Sequence, residues 1–497
     1  MQRLYKLPFI PLLLLLAFAG CKKFVDIAPP QSSITTSQIF ATDAQGASAM
    51  AGIYSQMMSN NGASTWSNGT LALDAGLSSD EIAGFQGALS SGVTPFEKGT
   101  LSSVDGLADG SFWTPIYKIV GNVNSIIDGV NASTTLTDSA RKELLGEAKF
   151  IRAFCYFYLT NLYGDVPLPL SSDFNKTALL PRTVQGDVYK QIIQDLTDAQ
   201  AALPDNYLAG RGERIYPTRF AATAMLARAY LYIQDWKDAD AQASSLVANN
   251  QFSLPSDLTQ VFLKNSSESI WQLQPNTTVS PYGPYDYKNF TPILIWKQVV
   301  PPGDSSLFDP SIYPDYSSLV TPLYYLNKTI NAEFERGDRR KDAWTGFTPT
   351  PHYAPYTGDT LFYPLKYINV RSGQPATQYY MVLRLAEQYL IRAEAKAEEG
   401  DLPGAAADLN VIRARAGLPP TTASGQADLL AAILKERRME LFAEWGHRFL
   451  DLKRTGQANA VIGALPIKQP WHGYELLYPI SQYDLQTDPN LTQNSGY

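Results

Sequence analysis

The sequence predicts a mostly α-helical protein: four tetratricopeptide-like helical pairs forming a solenoid half, plus a loop-rich half with a few short strands. Three observations predict it. Apolar residues recur at three- and four-residue spacing over long stretches. One helix–turn–helix pattern occurs twice: Ala227, Asp235, Trp236, Ala239 and Ala243 match Ala393, Asp401, Leu402, Ala405 and Leu409 at one constant offset. From Pro275 to Gln378 regular periodicity gives way to a long Pro-punctuated, aromatic-rich insertion, a composition that marks functional loops inside a regular scaffold.

The second copy of the repeat carries the fullest local signals. Val382, Ala386, Tyr389, Ala393 and Ala397 make one apolar stripe, with Arg384, Glu387, Glu394 and Glu398 mostly off it. Gly400 supplies a left-handed stop. Asp401 and Pro403 suit the first turn of the next helix, where a missing N–H costs nothing. Gly417 and Pro419-Pro420 close the hairpin.

The chain begins with a targeting segment. Arg3 and Lys6 precede an apolar run, Leu7 to Phe18, that is shorter than the ~20 residues needed to span a bilayer. The run ends in Phe18-Ala19-Gly20-Cys21, which resembles a bacterial lipobox, so residues 1–20 are expected to be a lipoprotein signal peptide and Cys21 the acylated first mature residue. Several acyl chains on one residue anchor stably where a single chain does not. Residues 21–37, polar and with Pro29-Pro30, read as a tether to one domain over 38–497.

Along the body, helical pairs are expected at 37–58 with 113–127, 141–163 with 184–203, 217–233 with 236–249, and 379–399 with 402–417. Asp138 is the expected cap of the long helix that ends at Gly164-Asp165-Val166-Pro167. Asn60 to Asp109, dense in Gly, Ser and Asn, reads as loop, and Ser269 to Gln274 as a short strand. Gln426 to Trp445 reads as a last helix. Its charges, Glu436, Arg437, Arg438, Glu440 and Glu444, continue into Arg448, Asp451, Lys453 and Arg454, and read as an ion-pair network rather than a catalytic cluster.

Composition narrows the function. Hydrophobic residues make up 45% of the chain, enough for a large core. A formal net charge of -7 with no basic run in the mature part argues against nucleic-acid binding. The two cysteines, Cys21 and Cys155, cannot build a thiolate metal site, and Cys155 lies on an apolar helical stripe. His352, His447 and His472 have neither metal nor triad spacing. No cofactor or metal is expected.

Several long motifs resemble the SusD/RagB family. They are Arg384-Leu385-Ala386-Glu387-Gln388-Tyr389-Leu390-Ile391-Arg392-Ala393-Glu394-Ala395, the run Glu440 to Leu452, and Phe150 to Phe154 with Tyr163 to Pro167. The mature start at Cys21-Lys22-Lys23-Phe24 and the tail from Tyr478-Pro479-Ile480 to Asn494 agree. The resemblance implies an outer-membrane lipoprotein facing the exterior. It would capture a nutrient, an oligosaccharide or polysaccharide or else a peptide, and act as lid on a SusC-type TonB-dependent transporter.

Sugar capture needs flat apolar faces for C–H surfaces with amide or carboxylate partners around them. The loops at 59–110 and 275–325 hold both. Trp66, Tyr282, Tyr285, Trp296 and Tyr313 are the candidate platforms, and Asp74, Asp80, Asn68 and Asn289 the candidate polar partners. Trp113, Trp271 and Trp344 read as core. A glycoside hydrolase would need two carboxylates at a fixed separation, for which Asp74 with Asp80 or Glu81 is the available set. A scaffold that binds only protein is the third class, since tetratricopeptide arrays commonly do this.

Overall fold

A computed structural model describes residues 39–59, 63–85, 93–276, 282–299, 304–313, 316–368 and 374–497. Cys21 and the tether lie outside the described residues. The fold is mostly helical with a few short strands. The principal helices are α1 (Asp43–Met58), α2 (Thr70–Ser78), α3 (Thr114–Ala132), α4 (Asp138–Tyr163), α5 (Gln185–Ala202), α6 (Arg219–Tyr232), α7 (Trp236–Val247), α8 (Leu385–Glu399), α9 (Leu402–Arg415), α10 (Gln426–Leu441) and α11 (His447–Arg454). Among the described residues, six strands form three two-stranded antiparallel ladders. β1 (Ile82–Gly84) pairs with β3 (Tyr324–Leu326), β2 (Ser269–Leu273) with β6 (Tyr380–Arg384), and β4 (Thr345–Pro349) with β5 (Thr360–Pro364).

Neighbouring helices pack in sequence order from α3 to α7. The chain then leaves for the insertion and returns so that α8 packs on α7, with α9 and α10 following. Small residues make the seam. Ala227, Ala239, Ala243 and Ala395 are fully buried together with Ile391, where α6, α7 and α8 meet. Both copies of the repeat start their second helix alike. The Asp235 carboxylate accepts the Asp238 amide and the Asp401 carboxylate the Gly404 amide, each satisfying an otherwise orphaned N–H. Gly400 stops α8 at φ +88°, as its place in the sequence predicts.

Four expectations need correction. Val382 lies on a strand: Tyr380–Arg384 pairs with β2, buried on both faces, and Arg384 is the N-cap of α8. Thr137, not Asp138, caps α4, its hydroxyl accepting from the Ala140 amide. The segment 60–109 holds α2, whose residues from Leu71 to Ser78 are all buried. A helix enclosed on every side shows no amphipathic period, so its sequence reads as loop. Finally, α10 stops at Leu441. Lys366 Nζ donates to the Glu440 and Phe442 carbonyls, and the chain then turns through positive φ at Ala443, Trp445 and Gly446.

The charged stretch is an interior ion-pair network. Arg384 donates to Glu444 (2.9 Å), Glu440 (2.6 Å) and Glu268 (3.2 Å). Arg415 bridges Glu268 and Glu440. Arg340 joins Asp338, Glu436 and Glu440, and Lys366 meets Glu444 at 2.6 Å. Removing a charge from water costs several kcal/mol, which is recovered only where geometry and hydrogen bonds are good. Here three arginines supply forked donors to shared carboxylates and tie β6, α9 and α10 to the insertion. The helix signature residues Arg384, Glu387 and Glu394 are therefore buried, and the apolar stripe is only part of the core-facing surface.

Candidate ligand-binding site

The insertion builds an aromatic cluster at its surface. β1 hands the chain to Phe85, whose amide donates to the Leu323 carbonyl at 2.9 Å and so extends the β1–β3 ladder by one bond. The Phe85 ring stacks on Tyr356 with centroids 5.5 Å apart. Tyr356 meets Phe308 edge-on at 5.2 Å, and Phe308 lies 5.2 Å from Trp296 at an interplanar angle of 30°. Tyr353 packs on Tyr356 at 6.0 Å, and its hydroxyl donates to the Phe308 carbonyl.

Tight turns hold these rings. The Asp309 carboxylate accepts the Ser311 amide and hydroxyl, and the Tyr313 amide donates to the Asp309 carbonyl. Asp359 accepts from Thr357 at 2.6 Å and from Lys328 at 2.7 Å, bracing the loop that carries Tyr353 and Tyr356. Phe308 is buried at the centre. Phe85, Trp296 and Tyr356 are half-buried around it, while Tyr353 and Tyr313 are 45% and 37% exposed. Such a cluster offers ring faces fixed by their neighbours, so little freedom is lost when a flat apolar ligand face stacks on them.

The sequence-predicted residues fall in three places. Trp296 belongs to the surface cluster, and Tyr313 follows the turn after Phe308. Tyr282 and Tyr285 are half-buried on the neighbouring segment. There the Tyr285 amide donates to Asn68 Oδ1 at 2.8 Å and Lys288 sits over the Tyr285 ring at 5.3 Å. Asn289 donates to the Gly69 carbonyl at 3.0 Å, so Asn68 and Asn289 stitch two segments together and are buried.

Trp66 is not an outward platform. It is 2% exposed and packs among Phe154, Tyr158 and Trp445, because the loop folds inward over α4. Asp80 is not a free partner either. Arg448 donates to both its oxygens at 2.7 and 3.0 Å, and Arg438 lies 2.8 Å away. Burial would raise its carboxyl, but the Arg448 hydrogen bonds and the two positive charges hold it below the usual range. Glu81 is buried and accepts the Ala443 amide, and burial pushes it up to about 7.

Asp74 and Trp66 share one cavity of about 480 Å³ beside α3, with Thr70, Ser111 and Lys118. Asp74 accepts from Ser111 at 2.9 Å, and burial raises its carboxyl to about 7. Trp66 Nε1–H has no acceptor among the described residues. Trp113, Trp271 and Trp344 are core, as the sequence predicts.

Phe85, Phe308, Tyr353 and Tyr356 are missed by the sequence reading. The available signal was the pattern Pro351-His352-Tyr353-Ala354-Pro355-Tyr356, which repeats the Pro-and-aromatic spacing of 281–325 beyond the range assigned to it.

Comparison with known proteins follows this geometry. Residues 341–497 match the model of the SusD family, and residues 94–231 match one described as "Starch-binding associating with outer membrane". SusD-like protein P2 of Formosa agariphila is 27% identical over a 530-residue alignment covering 99% of each chain. The starch-binding protein SusD of Bacteroides thetaiotaomicron is 24% identical, over 73% of this chain and 74% of its own. Among solved structures, a laminarin-binding SusD-like protein superposes with a TM-score of 0.73 at 23% identity, over 91% of this chain and 99% of the other. The mostly helical fold, the two family matches and a relative aligned from end to end support a SusD-like family protein.

Proposed function

We propose that this chain is a surface glycan-binding lipoprotein that hands its ligand to a SusC-type TonB-dependent transporter. The observation that carries the reading is the partly exposed cluster of Phe85, Trp296, Phe308 and Tyr356. Its rings offer apolar faces that match the C–H faces of sugars. Relatives named for binding starch and laminarin support the same ligand class.

Capture without chemistry is the simpler account of the carboxylates. The set available to a hydrolase is buried, with Asp80 engaged by two arginines and Glu81 by a backbone amide. A hydrolase needs such a pair facing its substrate.

In this mechanism the acylated Cys21 holds the protein at the outer leaflet and residues 22–37 act as a leash. The rings grip an oligomer, and lid closure over the transporter passes it inward. Affinity electrophoresis in gels containing laminarin or starch tests capture: the full chain is retarded, and Trp296→Ala weakens retardation about tenfold, ~1.4 kcal/mol. Unchanged retardation by Trp296→Ala sinks the assignment of the site. Replacement of Cys21 by Ala is expected to abolish surface display and growth on the cognate nutrient.

A further inference from the structure

Next to Trp296 lies a second, smaller feature. β4 and β5 place Phe347 directly opposite Phe362, with ring centroids 6.1 Å apart. Lys297 Nζ sits over Phe347 at 4.8 Å, and Lys341 Nζ over Phe362 at 4.7 Å. An ammonium over an aromatic face is held by the ring quadrupole without losing its charge. Lys297, Lys341, Asp342, Thr360 and the two rings line one cavity of about 180 Å³.

Among the described residues neither lysine has a carboxylate partner in an ion pair. Lys328 differs: it is matched to Asp359 at 2.7 Å. Two ammonium groups without a carboxylate partner among the described residues, in one cavity, are unusual on a chain of net charge -7. Asp342 offsets one of them, which leaves the cavity with one net positive charge and two sets of N–H donors. That is the complement of an oxyanion, and the volume fits a carboxylate or sulfate group with part of the ring that bears it. Lys297 follows Trp296 in the short helix Trp296–Val299, so the cavity adjoins the aromatic cluster.

We propose that the glycan gripped by the aromatic cluster is anionic, and that Lys297 and Lys341 read its carboxylate or sulfate groups. The inference rests on the reading of the cluster as a glycan platform. Trp296 and its neighbours then supply stacking, and the lysine cavity supplies charge selection against neutral polymers.

The test is affinity electrophoresis of the full chain purified in detergent. The gels contain alginate or polygalacturonate as carboxylates, ι-carrageenan as a sulfate ester, or laminarin as the neutral arm. At least one acidic polymer is expected to retard the protein tenfold more strongly than laminarin at low salt, with the advantage shrinking as salt rises. The double variant K297Q/K341Q is expected to lose that advantage, while K190Q, at a surface lysine of α5 paired with Asp187, retains it. Whether the alginate and polygalacturonate arms or the carrageenan arm responds assigns the group as carboxylate or sulfate.

Laminarin binding that depends on Trp296, with acidic polymers no tighter or indifferent to K297Q/K341Q, overturns this inference and leaves the platform standing. Retention of no polymer, with Trp296→Ala indistinguishable from the parent, overturns the platform and this inference with it.

Discussion

Arg228 and Glu387 meet face to face across the seam between α6 and α8. Nε and Nη2 donate to the two carboxylate oxygens at 2.7 and 2.6 Å, and each side chain is 1% exposed. The pair links the two copies of the repeat, which lie far apart in sequence and adjacent in space. Burial opposes the charge on Glu387, but the Arg228 guanidinium outweighs it and holds the carboxyl at about 2.

Glu387→Gln leaves a buried guanidinium without its counter-charge. The expected loss is about 3–5 kcal/mol, read from urea unfolding. The folded-state pKa is depressed, so the stabilisation is present above the unfolded value near 4.5 and is lost as pH falls toward 2. Glu387→Gln is therefore expected to show a shallower acid limb than the parent. Replacing both partners with Met and Leu is expected to restore most of the loss, because the desolvation cost disappears along with the attraction.

Asp74 carries the opposite sign. Burial raises its carboxyl from 3.8 to about 7, so between those values the unfolded chain gives up a proton that the folded chain keeps. Stability falls as pH rises across that window and levels off above it. Asp74→Asn removes the slope while retaining an acceptor for Ser111. The variant is expected to gain on the parent from pH 4 to pH 7, with a constant advantage at pH 8, as measured by urea midpoints at each pH. A parent-to-variant difference that does not change with pH contradicts this account of the buried carboxyl.

What could be read from the sequence follows from what each signal reports. Periodicity reports one-sided burial, so α4 to α9 were legible, down to the stop at Gly400, although Asp401 read as a first-turn residue and is the N-cap. It is silent where burial is complete. α2 was hidden because it is enclosed on all sides, and β6 passed for a helix turn because its alternate residues are apolar on both faces. Charge reports only itself: Arg384 and Glu387 read as lying off the apolar stripe, and the ion pairs that bury them come from distant segments, Glu440 and Glu444 for the first and Arg228 for the second. Of the candidate cluster, Trp296 was legible as an aromatic in a Pro-rich loop, but its neighbours Phe85 and Tyr356 come together only through the β1–β3 ladder and the turn at Asp359.

Trp66 and Trp296 therefore separate stability from binding. Trp66 fills the space between Phe154, Tyr158 and Trp445, and Trp66→Ala is expected to cost about 3–5 kcal/mol through the cavity it leaves. Trp296 is half-buried, with Phe308 its ring contact among the described residues, so Trp296→Ala is expected to cost no more than about 1–2 kcal/mol of stability while weakening polysaccharide retention. Thermal melts and affinity gels on the same two proteins check the split. A Trp296 variant that melts as early as the Trp66 variant would make that ring a core residue.

The repeated caps allow a last comparison within one molecule. Asp401 accepts the Gly404 amide at 3.0 Å and Asp235 the Asp238 amide at 3.3 Å. Each anchors an equivalent helix start, and losing a cap costs about 0.5–2 kcal/mol. The two sites differ in a way that orders them. The Asp401 bond is shorter, whereas at Asp235 the acceptor faces the amide of a second acid, Asp238, whose own charge already favours the helix N-terminus. Asp401→Ala is therefore expected to destabilise more than Asp235→Ala, both within that range, with Asn restoring most of the loss at either position. Equal costs at the two positions would show that the backbone of the turn, and not the side-chain acceptor, sets where these helices begin.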